Sequence, residues 1–586
     1  MEIKRLFDIP YHQLNNYPKE DSLAGKVNGK WAKTSTQQFV DTAMKVSKSL
    51  VSMGINPMDK VAIISNNRPE WNICDIGMMM AGAINVPIYP TISSKDYEFI
   101  FNDSEVKICF VSDQELLDKV LEIKDKVPSL SHIVSFQKLE QAELFTDFIE
   151  RGKDVPTEEI DKRKAAIKSE DLATLIYTSG TTGSPKGVML SHNNIVANVH
   201  GSRERLPCTE HSKAVSFLPL CHIYERMVLY LFMYTGVSIY YAESMDTIGD
   251  NIREVQPNVF TAVPRLLEKV FDRIMAKGSE LTGIKKALFF WAVSLGERWE
   301  PYGKNGAFYE FQLRIASKLI FSKWREALGG NVEAIASGSA ALQPRLARIF
   351  NAAGVPVLEG YGLTETSPVV SVNTFKNHGF MIGTTGRKLN NVEVKIAEDG
   401  EILVKAPSVM MGYYKRQDLT DEVIKNGWFH TGDIGELVNG EFLKITDRKK
   451  EIFKTSGGKY VAPQPMENRI KASRFIEQVM VIGENKKHPA ALIVPDLTFV
   501  SQWCKRNGMD CNTYEAMASN DKVKDRIWQE IEEINKEYGH FEQVKKIELC
   551  DRLWSVDGGE LTAKLSLKRK FILSKYDHLV RNIYGE

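Results

Sequence analysis

Charge bias is missing from this sequence: Lys and Arg number 76 against 75 for Asp and Glu over 586 residues, a net charge of +1. The chain as a whole therefore has no field to draw in nucleic acid or an anionic membrane, and no polyanion partner is implied. A cysteine framework is missing too. Cys74, Cys109, Cys208, Cys221, Cys504, Cys511 and Cys550 are scattered, with no Cys-x-x-Cys pair and no His-rich companion. That argues against a structural zinc site and a disulfide scaffold, and the odd count fits a reducing cytoplasm. The longest apolar candidate, Met227 to Ala242, is 16 residues broken by Thr235, Gly236 and Ser238, short of the roughly 20 that a membrane span needs. The first ten residues lack an apolar signal core, and no repeat or low-complexity segment occurs. The expectation is a soluble, cytoplasmic protein with no transmembrane segment, peripheral membrane contact being left open.

With 43% hydrophobic, 10% aromatic and 26% charged residues, the chain is able to bury large cores. A prior of about 150 residues per domain gives roughly four units, fewer if subdomains merge. Val61 to Ile64, a helix-like Glu70 to Met80, Ala83 to Pro90 and Val106 to Val111 alternate short β-branched runs with helical stretches, predicting an α/β layer. Near the C-terminus, Val479 to Gly483 and Ala491 to Val494 read as strands. Val523, Ile527, Ile531, Ile534 and Tyr538 recur at helical spacing and predict an amphipathic helix closed by Gly539.

The most informative stretch runs from Thr174 to Leu190. An apolar run ends at Thr178, and from there to Gly187 only Gly, Ser, Thr, Pro and Lys occur before apolar residues resume at Val188. This predicts a strand, a loop and another buried element. Gly180, Gly183 and Gly187 let backbone N–H groups converge on an anion, Ser179, Thr181 and Thr182 add hydroxyls, and Lys186 adds a point charge. The alternative is a surface loop rich in turn residues. The Walker loop does not apply, because Lys186 follows Pro185 and precedes Gly187.

Further strings follow in order. Phe217-Leu-Pro-Leu-Cys-His222-Ile precedes an apolar segment, where a lone His is ordinarily packed or solvated. Val255 to Arg265 reads as a strand leading into a turn. Ala334 to Gln343 reads as a second strand ending in small residues, among them Gly338, Ser339, Ala340 and Ala341. Val355 to Thr366 reads as a strand, a Gly360-Tyr361-Gly362 turn and three polar groups, offering an aromatic face on Tyr361, a hydroxyl donor on Thr364 and, on Glu365, a hard carboxylate ligand suited to Mg²⁺. Thr431-Gly-Asp433 and Asp447-Arg448 offer a carboxylate with two acceptor oxygens and a guanidinium.

Together these strings resemble the acyl-adenylating superfamily, with spellings nearest to long-chain fatty acid–CoA ligases, over roughly residues 25 to 575. The resemblance implies an α/β fold: a large N-terminal adenylate-forming domain over residues 1–447, with several sheets and a small β-barrel-like part, and a smaller mobile α+β domain over 448–586 turning about Lys450. It implies ATP, Mg²⁺ and coenzyme A as cofactors and co-substrates, and a long-chain fatty acid as substrate. Thr178, Ser179, Gly180, Thr181, Thr182, Gly183 and Lys186 would hold the phosphates. Gly338, Ser339, Gly360, Tyr361, Gly362 and Thr364 would hold the nucleotide, and Glu365 the metal. Asp433 and Arg448 would clamp the ribose. His222, Gly338, Ala340 and Ala341 would line the acyl site, and Gly457 and Gly458 would admit pantetheine. The apolar stretch Val228 to Ile239 reads by default as a core helix or strand, and part of it is expected to wall an alkyl tunnel.

One departure stands out. Where relatives usually carry the lysine that contacts the reacting carboxylate and α-phosphate, this chain has Ser566, so Lys564 or Lys568 is expected to supply the cation; all three would share a face if the segment is extended. The implied reaction is ligation of a fatty acid to CoA through an acyl-adenylate. A ligase loading a carrier protein, or a catalytically weak acyl- or nucleotide-binding protein, remain the alternatives.

Overall fold

The computed structural model describes residues 3–178, 185–244, 246–562 and 566–586. It divides into a larger unit, Met1–Lys395 with Leu403–His430 and Val438–Leu443, and a smaller one, Ile396–Ile402 with Thr431–Leu437 and Lys444–Glu586.

Two sheets organise the larger unit. The first runs, strand by strand, Gly412–Tyr413, Lys186–Ser191, Leu172–Thr178, Ile84–Ile88, Lys60–Ile64, Val106–Val111, His132–Ser135 and Glu143–Leu144. It is parallel from Leu172–Thr178 inward and antiparallel at the Lys186–Ser191 edge. Ile84–Ile88 is buried along its whole length, as expected of a parallel strand covered on both faces. The helix after Lys60–Ile64 begins with Pro69 at its first turn, and Ser93 and Asp113 cap the next two helices through their side-chain oxygens.

The second sheet runs Lys30–Thr34, Leu23–Val27, Ser238–Tyr241, Lys213–Ser216, Val259–Ala262, Ala334–Ser337, Val357–Gly362, Val369–Val372 and Arg387–Lys388. Its middle is parallel and its Val369 side antiparallel. The apolar stretch from Met227 resolves into the end of a helix, Ile223–Thr235, and the strand Ser238–Tyr241, separated by Gly236 at φ 83°. Among the described residues no helix is long and apolar enough to cross a membrane. The expected strand and turn over Val255 to Arg265 are corrected: the strand is Val259–Ala262, and Pro264 opens the helix Pro264–Glu280, since proline at the first helical position loses no bond. More helices follow before Ala334, namely Gly283–Glu297 and a rod made of Ala307–Ala316, a π-helical turn Ser317–Phe321 and Ser322–Ala327. Phe271, Phe289, Phe321 and Trp324 pack with Phe260, Ile335 and Phe350 in one core.

The smaller unit holds a three-stranded sheet of Ile476–Ile482, Ala490–Pro495 and Ile547–Leu549. Strand alternation feeds two cores: Val479, Val481, Ala491 and Ile493 face one, Met480, Ile482, Leu492 and Val494 the other. The amphipathic helix is Asp521–Asn535, ending before Gly539. At its last residue, the Asn535 side-chain amide donates to the Val544 carbonyl (2.8 Å) and accepts the Val544 N–H (3.0 Å), tying the segment that follows to the helix end.

Candidate active site

Within the larger unit, Leu172–Thr178 and Lys186–Ser191 are antiparallel neighbours with Thr178 opposite Lys186, so the two ends of the predicted phosphate loop are pinned side by side. Ser179, Gly180, Thr181, Thr182 and Gly183 lie outside the described residues. Lys186 Nζ sits 5.2 Å from the centre of the Tyr413 ring, and the Tyr413 hydroxyl donates to Glu365 Oε1 at 2.9 Å. Burial and the Glu365 carboxylate push the Tyr413 phenol well up, so it stays a donor. The Glu365 backbone carbonyl accepts from the Met410 N–H at 2.8 Å. A cation, a phenol and a carboxylate from three distant parts of the chain thus meet at the base of the loop.

Gly360, Tyr361 and Gly362 are not a turn, as the sequence reading had them. They close the strand Val357–Gly362, paired with Val369–Val372 and bulged between Tyr361 and Gly362. The turn comes one residue later, where Thr364–Thr366 form a 3₁₀ turn that carries the buried Thr364 and the half-buried Glu365. A Cβ on Gly362 would lie 1.9 Å from the Pro368 carbonyl oxygen, so only glycine lets the strands approach this closely.

Residues 338 to 342 form a short shelf beside that strand. Gly338 N–H donates to the Ala262 carbonyl at 3.2 Å, and the Tyr224 ring lies against it, the Tyr224 hydroxyl donating to the Ala336 carbonyl at 2.8 Å. Ser339 takes φ 70°, and Ser339, Ala340 and Ala341 are exposed. At the far end, Leu342 N–H donates to Glu359 Oε1 at 2.9 Å. Glu359 is buried, which pushes its carboxyl up to about 8. Sequence reasoning missed it, although an acid closing the apolar run Val355 to Leu358 was a visible signal. Glu225 was missed too: it is buried below Tyr224, accepts from Ser216 Oγ at 2.6 Å and from the Thr261 hydroxyl, and is pushed up to about 7. His222 caps the helix Ile223–Thr235 through Nδ1, which accepts the Tyr224 N–H at 3.0 Å, and its ring meets Tyr89 edge-on at 6.4 Å.

Within the smaller unit, Asp433 is buried and its Oδ1 lies 3.5 Å from Arg448 Nε. Asp447 accepts the Arg448 N–H at 2.5 Å, and burial with the Glu451 and Glu467 charges raises its carboxyl to about 7. Lys449 is tied to Asp399 at 2.6 Å and Glu401 at 2.9 Å, and the exposed Lys450 follows. Gly457 and Gly458 sit in the exposed turn between Phe453–Lys454 and Tyr460–Val461. Around Ser566 the chain folds back: Leu561 bridges Leu567, Thr562 N–H donates to the Ser566 carbonyl, and Lys568 N–H donates to the Glu560 carbonyl. Ser566 and Lys568 are both exposed, while Lys564 lies outside the described residues.

For a divalent ion, no group of three or more His, Cys, Asp or Glu comes together among the described residues. Mg²⁺ does not require one, since it is held by one or two carboxylates with substrate phosphates and water. Glu365, half-buried with Oε1 anchored by Tyr413, fits that pattern.

Residues 11–414 match the family model of the AMP-binding enzymes, and residues 450–586 match the model of the AMP-binding enzyme C-terminal domain. The chain is 32% identical to the long-chain-fatty-acid–CoA ligase FadD15 of Mycobacterium bovis, over 96% of this chain and 94% of that one. It is also 32% identical to long chain acyl-CoA synthetase 4 of Arabidopsis thaliana, over 99% and 91%. Among solved structures, the fold resembles the adenylation domain of a carboxylate reductase from Mycobacterium chelonae (TM-score 0.76, 22% identity, 99% and 91% covered). It also resembles the anthranilate CoA ligase AuaEII in complex with anthranoyl-AMP (TM-score 0.71, 19% identity, 97% of each chain). At these identities the structural likeness speaks for the fold alone.

Proposed function

The chain belongs to the AMP-binding enzyme family, and from that premise we propose that it ligates a long-chain fatty acid to coenzyme A, using ATP and releasing AMP and pyrophosphate. In the first step a carboxylate oxygen of the acid attacks the α-phosphorus of ATP, and the bond to pyrophosphate breaks. In the second, the CoA thiol attacks the acyl-adenylate carbonyl, loses its proton and expels AMP. Both steps build negative charge on oxygen, and preorganised donors and cations are the cheapest way to stabilise it.

The observation that supports this reading most is the meeting of Lys186 and Glu365 on Tyr413. A lysine ammonium and a carboxylate that both touch one phenol support reading Lys186 as the cation for the phosphates and Glu365 as the ligand for the metal. A magnesium ion bound there would neutralise phosphate charge, with Glu365 holding it. Ser179, Thr181 and Thr182 are assigned to the phosphates with Thr178 and Thr364, Tyr361 to the adenine face, the shelf from Gly338 to Ala341 to both the adenine and the acyl head, and His222 to the acyl head. Asp433 and Arg448 are assigned to the ribose. Lys568 or Lys564 is assigned to the reacting carboxylate, and Gly457 and Gly458 to pantetheine. The division at residues 447 and 448, with rotation about Lys450, would alternate the last two sets between the half-reactions. A cytoplasmic setting fits the seven cysteines, which are all buried, with no disulfide among the described residues.

The test is exchange of labelled pyrophosphate into ATP with and without palmitate, followed by thioester formation on free CoA. Exchange without thioester, rescued by an acyl carrier protein, would make the chain a carrier-loading ligase. No exchange would make it a binding protein.

A further inference from the structure

One side of the helical rod 307–327 is apolar and is not used by the protein's own core. Tyr309, Ala316, Phe321 and Trp324 of the rod are buried. Phe308, Phe311, Ile315 and Leu319 follow one another at steps of three and four, which places them on one side, and they are between 39% and 74% exposed. Single exposed apolar residues need no explanation, whereas a contiguous stripe of them marks an interaction site. Arg314 and Lys318 stand one position before Ile315 and Leu319, and Lys323 prolongs the stripe; all three are exposed, against Glu326 as the rod's one exposed carboxylate. The preceding helix Gly283–Glu297, packed on the rod, adds exposed Ile284 and Phe290 and the exposed Lys285 and Lys286.

Residues 283–327 contain eight Lys and Arg against four Asp and Glu, a net +4 in a chain of net +1. Two of those acids, Glu297 and Glu300, are already paired with Arg345 and Arg348 from outside the segment. The near-neutral whole chain therefore conceals a cationic, aromatic-rich surface. We propose that this face seats on an anionic lipid bilayer, with Phe308, Phe311, Ile315 and Leu319 entering the acyl boundary and Arg314, Lys318 and Lys323 at the level of the phosphates. Apolar side chains flanked by Lys and Arg are the pattern of helices lying in a membrane interface. A second copy of the chain fits less well: a twofold contact sets the same patch against itself, bringing like charges together. The inference goes beyond the ligase reading and does not rest on it.

Co-sedimentation of the full chain with vesicles tests it, using an equal mixture of phosphatidylcholine and phosphatidylglycerol beside pure phosphatidylcholine. The parent protein is expected to pellet with the anionic vesicles, to do so less at high salt, and to stay in solution with the neutral ones. Replacing Phe308, Phe311, Ile315 and Leu319 together by Ser, or making the pair Arg314→Glu and Lys318→Glu, should each lower the partition coefficient about tenfold or more, with unfolding temperatures unchanged. If the parent stays in solution with anionic vesicles, or either variant pellets like the parent, the proposal is wrong. A parent dimer in sedimentation velocity that the Ser variant splits, without vesicle binding, would assign the surface to a second copy and overturn it as well.

Discussion

Replacing Glu359 by Gln separates what the buried carboxyl contributes as a proton carrier from what it contributes as a hydrogen-bond acceptor. Burial raises it from an ordinary carboxylate value to about 8, so the folded protein keeps a proton that the unfolded chain has released. Its favourable contribution is complete below the unfolded value near 4.5 and is lost as pH rises through about 8, at about 1.4 kcal/mol per pH unit. Gln cannot titrate, yet its amide oxygen still accepts the Leu342 N–H. Between pH 5.5 and 7.5 the parent should therefore lose roughly 3 kcal/mol relative to Glu359→Gln. Glu225 and Asp447 are raised to about 7 as well, but their titration is common to both proteins and cancels in the difference. Glu359→Leu instead leaves the Leu342 N–H unsatisfied, at a cost of about 1–3 kcal/mol at every pH. It also frees one end of the shelf from Gly338 to Ala341, so KM for ATP should rise while Glu359→Gln stays near the parent. Denaturant unfolding of the three proteins across pH, alongside initial-rate kinetics, reads both effects. A parent-minus-Gln difference that is flat from pH 5.5 to 7.5, or a Leu variant indistinguishable from Gln, would refute the reasoning.

Lys186→Ala should lower pyrophosphate exchange about a hundredfold, corresponding to loss of one preorganised donor worth ~3 kcal/mol, while the unfolding temperature holds; an unchanged exchange rate would remove Lys186 from the phosphate site. Gly362→Ala forces a Cβ to within 1.9 Å of the Pro368 carbonyl oxygen and should destabilise by about 3 kcal/mol or more, read as a fall in unfolding temperature. Arg226 is fully buried and bonded to Asp75, Thr174 and Tyr230. Arg226→Met leaves Asp75 uncompensated and should cost about 3–5 kcal/mol, whereas Asp75→Asn made with it should recover part of that loss in denaturant unfolding.

Much of this architecture was legible because local chemistry and global fold agree. The short β-branched runs from Val61 and Val106 became buried parallel strands, and the apolar stretch from Met227 is divided by Gly236 into the end of a helix and a strand. The change from apolar residues to hydroxyls and glycines at Thr178 marks the end of a strand, and the chain returns beside it at Lys186. What was not legible depends on partners distant in sequence. Tyr413 carries no motif of its own, and only folding puts it between Lys186 and Glu365. Arg226 and Asp75 are 151 residues apart, so neither announces the other. Gly360 to Gly362 read as a turn because glycine is common in turns; here it serves strand approach, a requirement visible only once Pro368 is in place. Gly539 reads as a helix stop for the same reason, whereas the helix ends four residues earlier, at Asn535.

The account turns on activation of a carboxylate by nucleotide, and the smaller unit offers the sharpest check on it. The resemblance read in the sequence sets Ser566 where a lysine is expected, and the exposed Lys568 follows two residues later. The deciding measurement is palmitate-dependent exchange of pyrophosphate into ATP by the parent, by Lys568→Ala and by Lys564→Ala. The account predicts robust exchange by the parent and its loss in at least one of the two variants. Exchange absent from the parent, or undiminished in both variants, would contradict it.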